Sequence, residues 1–369
     1  MRLNKLFNNE KGIGLVVSLA ITAVLFVAAL QVVRLAGESA IPSMQEKHRF
    51  QAYQSALSGI NIAKLLLTED GEQNSVDSVQ DIWADENKIA RVISASGMDI
   101  LEIKIIDELS KIQVNALLEQ FAGSKFNNDQ HRIWENLLYL RFSSDKSVDK
   151  RDPRLIINSI KDWLDSNDDD AMTGLLSAES DYYQDLDMPY ECANGQLNHI
   201  DELFNIRGIT KELLRVQIMD ENNDVQFIDI DLDDVFTVYG MDDKRKKEGS
   251  YSFQGKVNIN TAPVEVLAAL LPQGDEELSI DLVEYREQKD ENDAFVNSLE
   301  KGWYKNIIKF SGEKEKRFER TIRYSSNIFK VVCKAKHKQA IVKLAAFLKR
   351  EKDKKTNKWV TRTLNMERL

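Results

Sequence analysis

Lys11 to Arg34 reads KGIGLVVSLAITAVLFVAALQVVR, and between those two end charges there is no ionisable residue. The uncharged run Ile13–Val33 is about 21 residues, and at 1.5 Å per residue a helix of that length spans the roughly 30 Å of a bilayer core. Arg2, Lys5 and Lys11 precede it against a single Glu10. Positive charge is retained on the cytoplasmic side, so the chain is expected to start there and to lie across the membrane after Arg34. A cleaved secretory signal has a shorter apolar core, about 7–15 residues. A plain signal anchor satisfies the same hydropathy, so the boundary has to separate the two.

Outward from this segment, 369 residues leave room for two or three domains. Apolar residues at 43% and aromatics at 8% are enough for ordinary hydrophobic cores. A net charge of −10 argues against a nucleic-acid binder, which needs clustered Lys and Arg. Five prolines and 16 glycines are too few for a fibrous or low-complexity chain. Only Cys192 and Cys333 are present, which excludes a disulfide framework and a zinc site of several cysteines. One bridge between them, or two free buried thiols, both remain open.

After Pro42 the spacing of Phe50, Tyr53, Leu57, Ile60, Ala63 and Leu67 predicts an amphipathic helix, with Gly71 as its stop. Leu101–Ile105 alternates with strand period, Asp107-Glu108 supplies a turn, and Lys111–Asn115 resumes the alternation, which predicts a hairpin. Asp152-Pro153 then opens a helix, with Asp as N-cap and Pro in the first turn; Ile156, Ile160 and Trp163 form its apolar ridge. Thr261 is expected to cap a further helix, with Pro263 and Glu265 in its first turn and Val266, Leu267, Leu270 and Leu271 on its buried face. Strand character returns in 328–334, 340–347 and 358–362. Strands, then helices, then strands predict a helical domain inserted into a sheet.

The junction Lys11-Gly12-Ile13-Gly14-Leu15-Val16-Val17 resembles a class III prepilin leader. The resemblance implies cleavage after Gly12 by a prepilin peptidase, with Ile13 as the new terminus and the apolar helix retained. Most pilins carry Glu at the fifth mature position; here it is Val17. A carboxylate in lipid is costly without a partner, so an apolar residue suits a subunit with nothing docked beyond it. Four further segments are similar, in order, to the K-type minor pseudopilins (GspK) of type II secretion. They are Ile106-Asp107-Glu108 through Ile112–Leu117; Asp162-Trp163-Leu164-Asp165 leading to Ala178–Tyr183; Pro189–Gly195 with Ile200–Leu203; and Val257–Leu267. Asn167 stands where the family usually has Asp, and Ser177 replaces a Gly.

That resemblance implies an α+β fold, in which an N-terminal transmembrane pilin helix packs on a small antiparallel sheet carrying a large all-α insertion of SAM-like, helix-hairpin-helix-like modules. The expected division is leader 1–12, transmembrane helix 13–34, pilin-like helix and first strands 35–116, first helical module 117–245, second helical module 246–322, and returning strands 323–369. It implies a non-enzymatic subunit at the pseudopilus tip, in the inner membrane with its head in the periplasm. It also implies I- and J-type minor pseudopilins as partners.

Two sharper readings need weighing. Leu203–Thr210 and Asn258–Leu270 have the look of helix-hairpin-helix halves, which can hold DNA phosphates on backbone N–H groups. The alternative function is therefore a bitopic DNA-uptake protein. However, Asp201, Glu202 and Glu212 outweigh Arg207 and Lys211, so the hairpins are read as helical packing and no nucleic-acid partner is expected. The acidic loop Asp165–Asp170 has the oxygen donors of a calcium site but not the EF-hand Gly or Glu, since Asp170 and Leu176 stand at those positions. On composition alone it is a solvated acidic loop; the family resemblance implies calcium, with Asp165, Asn167, Asp168, Asp170, Glu179 and Asp181 as candidate ligands. His48, His131, His199 and His337 are scattered without a catalytic spacing.

Overall fold

The computed structural model describes residues 10–121, 123–144, 152–167, 178–219, 225–229, 231–242 and 250–369. The chain begins with α1 (Glu10–Gln73), a single helix of 64 residues that runs through Pro42 without interruption. Its first half, Gly12–Leu35, is 24 residues with mean hydropathy 2.7, and none of it is covered by the rest of the chain. This is one apolar helix of a length and composition suited to a single-pass anchor.

The second half of α1 lies on the sheet largely by the predicted stripe, with Ala52 and Ala56 added to it and Phe50 left outside. Ala52, Ala56, Ile60, Ala63 and Leu67 are buried, Tyr53 and Leu57 are partly buried, and Phe50 is 61% exposed. The reason is close approach. Small residues at 52, 56, 59 and 63 bring the helix axis down onto the strands, which turns the bulkier side chains to the flanks. Gly59 marks the tightest point, because a Cβ there would overlap the Cys333 sulfur.

Next comes α2 (Glu86–Ser96), capped by the Asp85 side chain on the amides of Asn87 and Lys88 and ended by Gly97 in the left-handed region, φ 64°. The chain then enters β1 (Ile100–Asp107). The insertion follows: β2 (Ile112–Gln113), α3 (Asn128–Ser144), α4 (Pro153–Leu164), α5 (Ser180–Gln184) and the hairpin of β3 (Arg215–Met219) with β4 (Val225–Asp229). It continues with α6 (Leu232–Val235), β5 (Phe236–Thr237), β6 (Val257–Asn258), α7 (Val264–Leu270), α8 (Leu278–Glu287), α9 (Glu313–Thr321) and β7 (Ile322–Arg323). The chain returns to the sheet in β8 (Ile328–His337), β9 (Ala340–Lys352) and β10 (Trp359–Arg368).

The main sheet is antiparallel, in the order β1-β8-β9-β10. β1 pairs with β8 through Ile105 opposite Val331 and Asp107 opposite Phe329. The whole insertion therefore leaves and re-enters between two neighbouring strands. Two cores result. One joins α1 to the sheet around Ile60, Trp83, Ile103, Phe329, Cys333 and Leu348. The other runs from Ile112 to Ile322 and unites both halves of the insertion around Trp134, Ile160, Tyr183, Leu203, Leu267 and Trp303.

The predicted hairpin after β1 does not form. β2 pairs in parallel with β5, through Ile112 opposite Phe236. Asp107 and Glu108 do not make a solvated turn either; both are buried. Glu108 accepts from Lys111 Nζ and from Thr237 Oγ1, each at 2.6 Å, which fastens β2 beside β5 in the second core.

Candidate functional site

The acidic segment is positioned by α4. The Asp152 carboxylate accepts from the Arg154 amide at 2.9 Å, Pro153 occupies the first turn, and Ile156, Ile160 and Trp163 face the core, as the sequence predicts. At the other end of α4, the Asp162 and Asp165 side chains are buried, one turn apart. Lys161 Nζ lies 2.8 Å from Asp165 Oδ2 and 3.5 Å from Asp162 Oδ1. The Ala178 amide donates to Asp162 Oδ2 at 3.2 Å and thereby ties the segment leading into α5 to the end of α4. Asn167 donates its backbone N–H to Asp165 Oδ1 at 3.2 Å, and its side-chain amide lies against the same carboxylate.

Of the candidate ligands, Asp165 and Glu179 are buried, Asn167 lies against Asp165, and Asp181 is exposed in the first turn of α5. Asp168 and Asp170 lie outside the described residues. Asp162 was not singled out by sequence reasoning; its spacing of three from Asp165 on a helix is the signal that finds it. Asp162, Asp165 and Glu179 are three buried carboxylates, and Lys161 pairs with the first two. Buried carboxylates of this kind call for cations, and hard oxygen donors of this type are those that calcium takes. The donor set fits.

A second cluster joins the sheet to the insertion. The Asp107 carboxylate, at the end of β1, accepts from Asn258 Nδ2 at 2.8 Å and from Thr261 Oγ1 and Ser326 Oγ at 2.6 Å each. The segment Asn258-Ile259-Asn260-Thr261 is therefore a latch. Thr261 does not cap the following helix; Pro263 occupies that place, and the Thr261 hydroxyl is held by Asp107. Asn260 accepts from Trp303 Nε1 at 2.6 Å, which extends the latch into the insertion.

Beneath it, the buried Arg350 donates to Asp70 at 2.6 Å, to Asp77, and to the Ser326 carbonyl at 2.9 Å. Its guanidinium also lies 5.1 Å from the Phe329 ring centroid and 5.7 Å from that of Trp359. Burial pushes Asp77 up to about 7, against the pull of Arg350, and pushes Asp81 up to about 6. Asp70, Asp77 and Asp81 converge here, but around a guanidinium.

Cys192 and Cys333 are both free and lie in different cores, which decides for two buried thiols over a bridge. Burial pushes the Cys333 thiol up to about 12, so it is inert at neutral pH. Around Gly208 the segment is flanked by 3₁₀ helices, Ile200–Asn205 and Lys211–Leu214, and the Arg207 guanidinium lies 4.4 Å from the Tyr182 ring centroid.

An apolar helix suited to a single-pass anchor continues into a helix laid on an antiparallel sheet, which carries a helical insertion. Residues 110–217 match the family model described as type II secretion system (T2SS), protein K. The fold is shared with a chain in the crystal structure of the GspK-GspI-GspJ complex from the enterotoxigenic Escherichia coli type 2 secretion system. The TM-score is 0.56 at 16% sequence identity, covering 89% of this chain and 99% of that one. No curated protein matches the sequence. The family match and the shared fold together bear out the resemblance read from the sequence and support a K-type minor pseudopilin.

Proposed function

We propose that this chain is a non-enzymatic tip subunit of a type II secretion pseudopilus, which joins I- and J-type minor pseudopilins and helps to initiate pseudopilus growth. The observation that carries this reading is the fold shared with a chain of a GspK-GspI-GspJ complex. The uncovered apolar half of α1 supports it too. A helix with no intramolecular partner needs lipid or other helices around it. Ile13 and Val17 lie on that exposed surface, and Val17 brings no carboxylate that a neighbour's ammonium would have to satisfy.

In this reading a prepilin peptidase cuts between Gly12 and Ile13, α1 anchors the subunit in the inner membrane, and the head stands in the periplasm. Calcium would be held by Asp165, Asn167, Asp168, Asp170, Glu179 and Asp181, with Asp162 added to the set by its burial beside Asp165. The ion supplies positive charge among buried carboxylates. The Ala178 amide, bonded to Asp162, holds the two arms of the loop together.

The test is co-purification of the detergent-solubilised full chain with I- and J-type pseudopilins of the same host, followed by size-exclusion chromatography with light scattering. A co-eluting complex of all three is expected. Separate elution of this chain under conditions where the I- and J-type subunits associate would sink the tip assignment.

A further inference from the structure

On the far side of the latch, an open cleft of about 730 Å³ is lined by residues from the end of α1, the approach to β6, the 300–301 loop, α9 and β7. Arg323 forms its floor. This guanidinium is partly buried, and only its Nε is engaged, donating to the Ser325 carbonyl. Among the described residues, its two terminal nitrogens have no hydrogen-bond or ion-pair partner. Asp77 and Asp107 stand behind it, but each is already occupied, Asp77 by Arg350 and Asp107 by Asn258, Thr261 and Ser326. Burial lowers the Arg323 pKa from its ordinary value, although the Asp107 and Asp77 carboxylates behind it pull the other way.

The walls add to this charge. Lys256 and Lys301 line the cleft, and neither has an ion-pair partner among the described residues. Of the two acids in the lining, Glu319 is paired with Lys305 at 3.1 Å, which leaves Glu300 as the opposing charge. The cleft is thus positive overall, with a planar two-pronged donor at its base. An Arg fork matches a planar carboxylate in two parallel hydrogen bonds. Glu300 opposes a phosphate dianion more strongly than it opposes a monoanion. The volume falls in the range of ligand pockets and is far larger than one small anion needs, and Val76, Ile322 and Tyr324 offer apolar wall beside the charges. Ser75 and Val76 immediately follow α1, so the cleft lies about 57 Å along the helix from the apolar segment, at 1.5 Å per residue over 35–73.

We propose that this cleft is a recognition site for a carboxylate presented by a polypeptide segment, with Arg323 as the bidentate anchor and Lys256 and Lys301 as flanking charges.

The experiment is calorimetric titration of the detergent-solubilised full chain with four probes. These are N-acetylated, C-amidated Ala-Glu-Ala, its Ala-Gln-Ala counterpart, sodium acetate and inorganic phosphate. Saturable binding of the Glu peptide is expected, with the Gln peptide about ten-fold weaker, since a charge-assisted pair is lost. Acetate and phosphate should be weaker still. Arg323→Lys keeps the charge but loses the fork, and about a ten-fold rise in Kd is expected at an unchanged melting temperature. Lys256→Ala with Lys301→Ala removes the two flanking charges and should raise Kd about five-fold; it serves if Arg323→Lys misfolds. The proposal is overturned if the Glu peptide fails to saturate, if the Gln peptide binds equally well, or if the double variant binds as wild type does. Phosphate or acetate binding as tightly as the Glu peptide would make the cleft a small-anion site and would overturn it as well.

Discussion

Gly59→Ala sets two effects of known sign against each other. On the surface of a helix the change would stabilise by about 1 kcal/mol, because alanine loses less backbone freedom on folding. At position 59 the new methyl group would overlap Cys333 Sγ, with the Ile103 side chain already 3.4 Å away. Cys333 is fully buried in β8 and paired on both sides, with Ile103 in β1 and Leu344 in β9, so the strand has no free direction to yield. Overpacking of a tight core costs about 1–3 kcal/mol, and here it also lifts α1 from its row of alanines. The net expectation is a loss of about 0–2 kcal/mol, the overpacking cost less the propensity gain. Cys333→Ala removes the sulfur and leaves a small void, costing about 1 kcal/mol alone. In the double variant, the methyl at 59 occupies the space the sulfur vacated, so the pair should be less destabilised than the sum by at least about 1 kcal/mol. Denaturant unfolding of the full chain in mild detergent reads this out. Trp83 packs edge-on to Phe329 in the same core and serves as the fluorescent reporter. If Gly59→Ala alone stabilises the protein, or if the two changes simply add, the close approach of α1 to β8 is not what positions the helix.

Three further outcomes are expected. Asp77 at about 7 and Asp81 at about 6 keep a proton in the folded state that the unfolded chain releases near 4. The stability they contribute is therefore full below about pH 4 and is lost as pH rises to about 7, by up to about 1.4 kcal/mol per unit per group; Asp77→Asn should flatten that slope in melting temperature against pH. Calcium in millimolar amounts, against EDTA at fixed ionic strength, should raise the melting temperature of the full chain, and Glu179→Ala should abolish the rise; equal curves in both media would leave the loop merely solvated. Intact-mass analysis of protein extracted from a host with an active prepilin peptidase should find Ile13 at the terminus, and an uncut chain would reduce α1 to an ordinary anchor.

What the sequence made legible was local. Charge-free length located the apolar half of α1, strand alternation located β1 and the returning strands, and Asp152-Pro153 located the start of α4, because each signal lies within one element. The errors all involve partners distant in sequence. Alternation in 111–115 correctly marks extended chain, but nothing local says that Ile112 pairs with Phe236 rather than folding back on β1. Thr261 is a good cap by its neighbours, yet Asp107 competes for the same hydroxyl and holds it. The buried face of α1 was legible from Tyr53 to Leu67 but misjudged at its start, because hydrophobicity rewards Phe50, whereas the packing also takes Ala52 and Ala56, small enough to let the backbone close on the sheet. Asp162 was overlooked among many acids, although its spacing from Asp165 on a helix was legible; its burial beside Asp165 needed the structure.

These same long-range contacts explain how a large insertion can be carried by a thin pilin-like sheet. The chain leaves after Asp107 in β1 and returns through Ser326 before β8, and because those strands are neighbours the two crossings lie side by side. One carboxylate, that of Asp107, binds both crossings and the Asn258–Thr261 segment between them. Arg350 of β9 then ties Ser326 and Asp77 to Asp70 in the last turns of α1. Removing one partner from a buried charge cluster typically costs about 3–5 kcal/mol, because the others are left uncompensated. The latch therefore makes α1, sheet and insertion one mechanical unit. A subunit proposed to work from the end of a growing filament needs that property, since a displacement applied along its membrane helix must arrive at the head rather than be absorbed by a hinge between them.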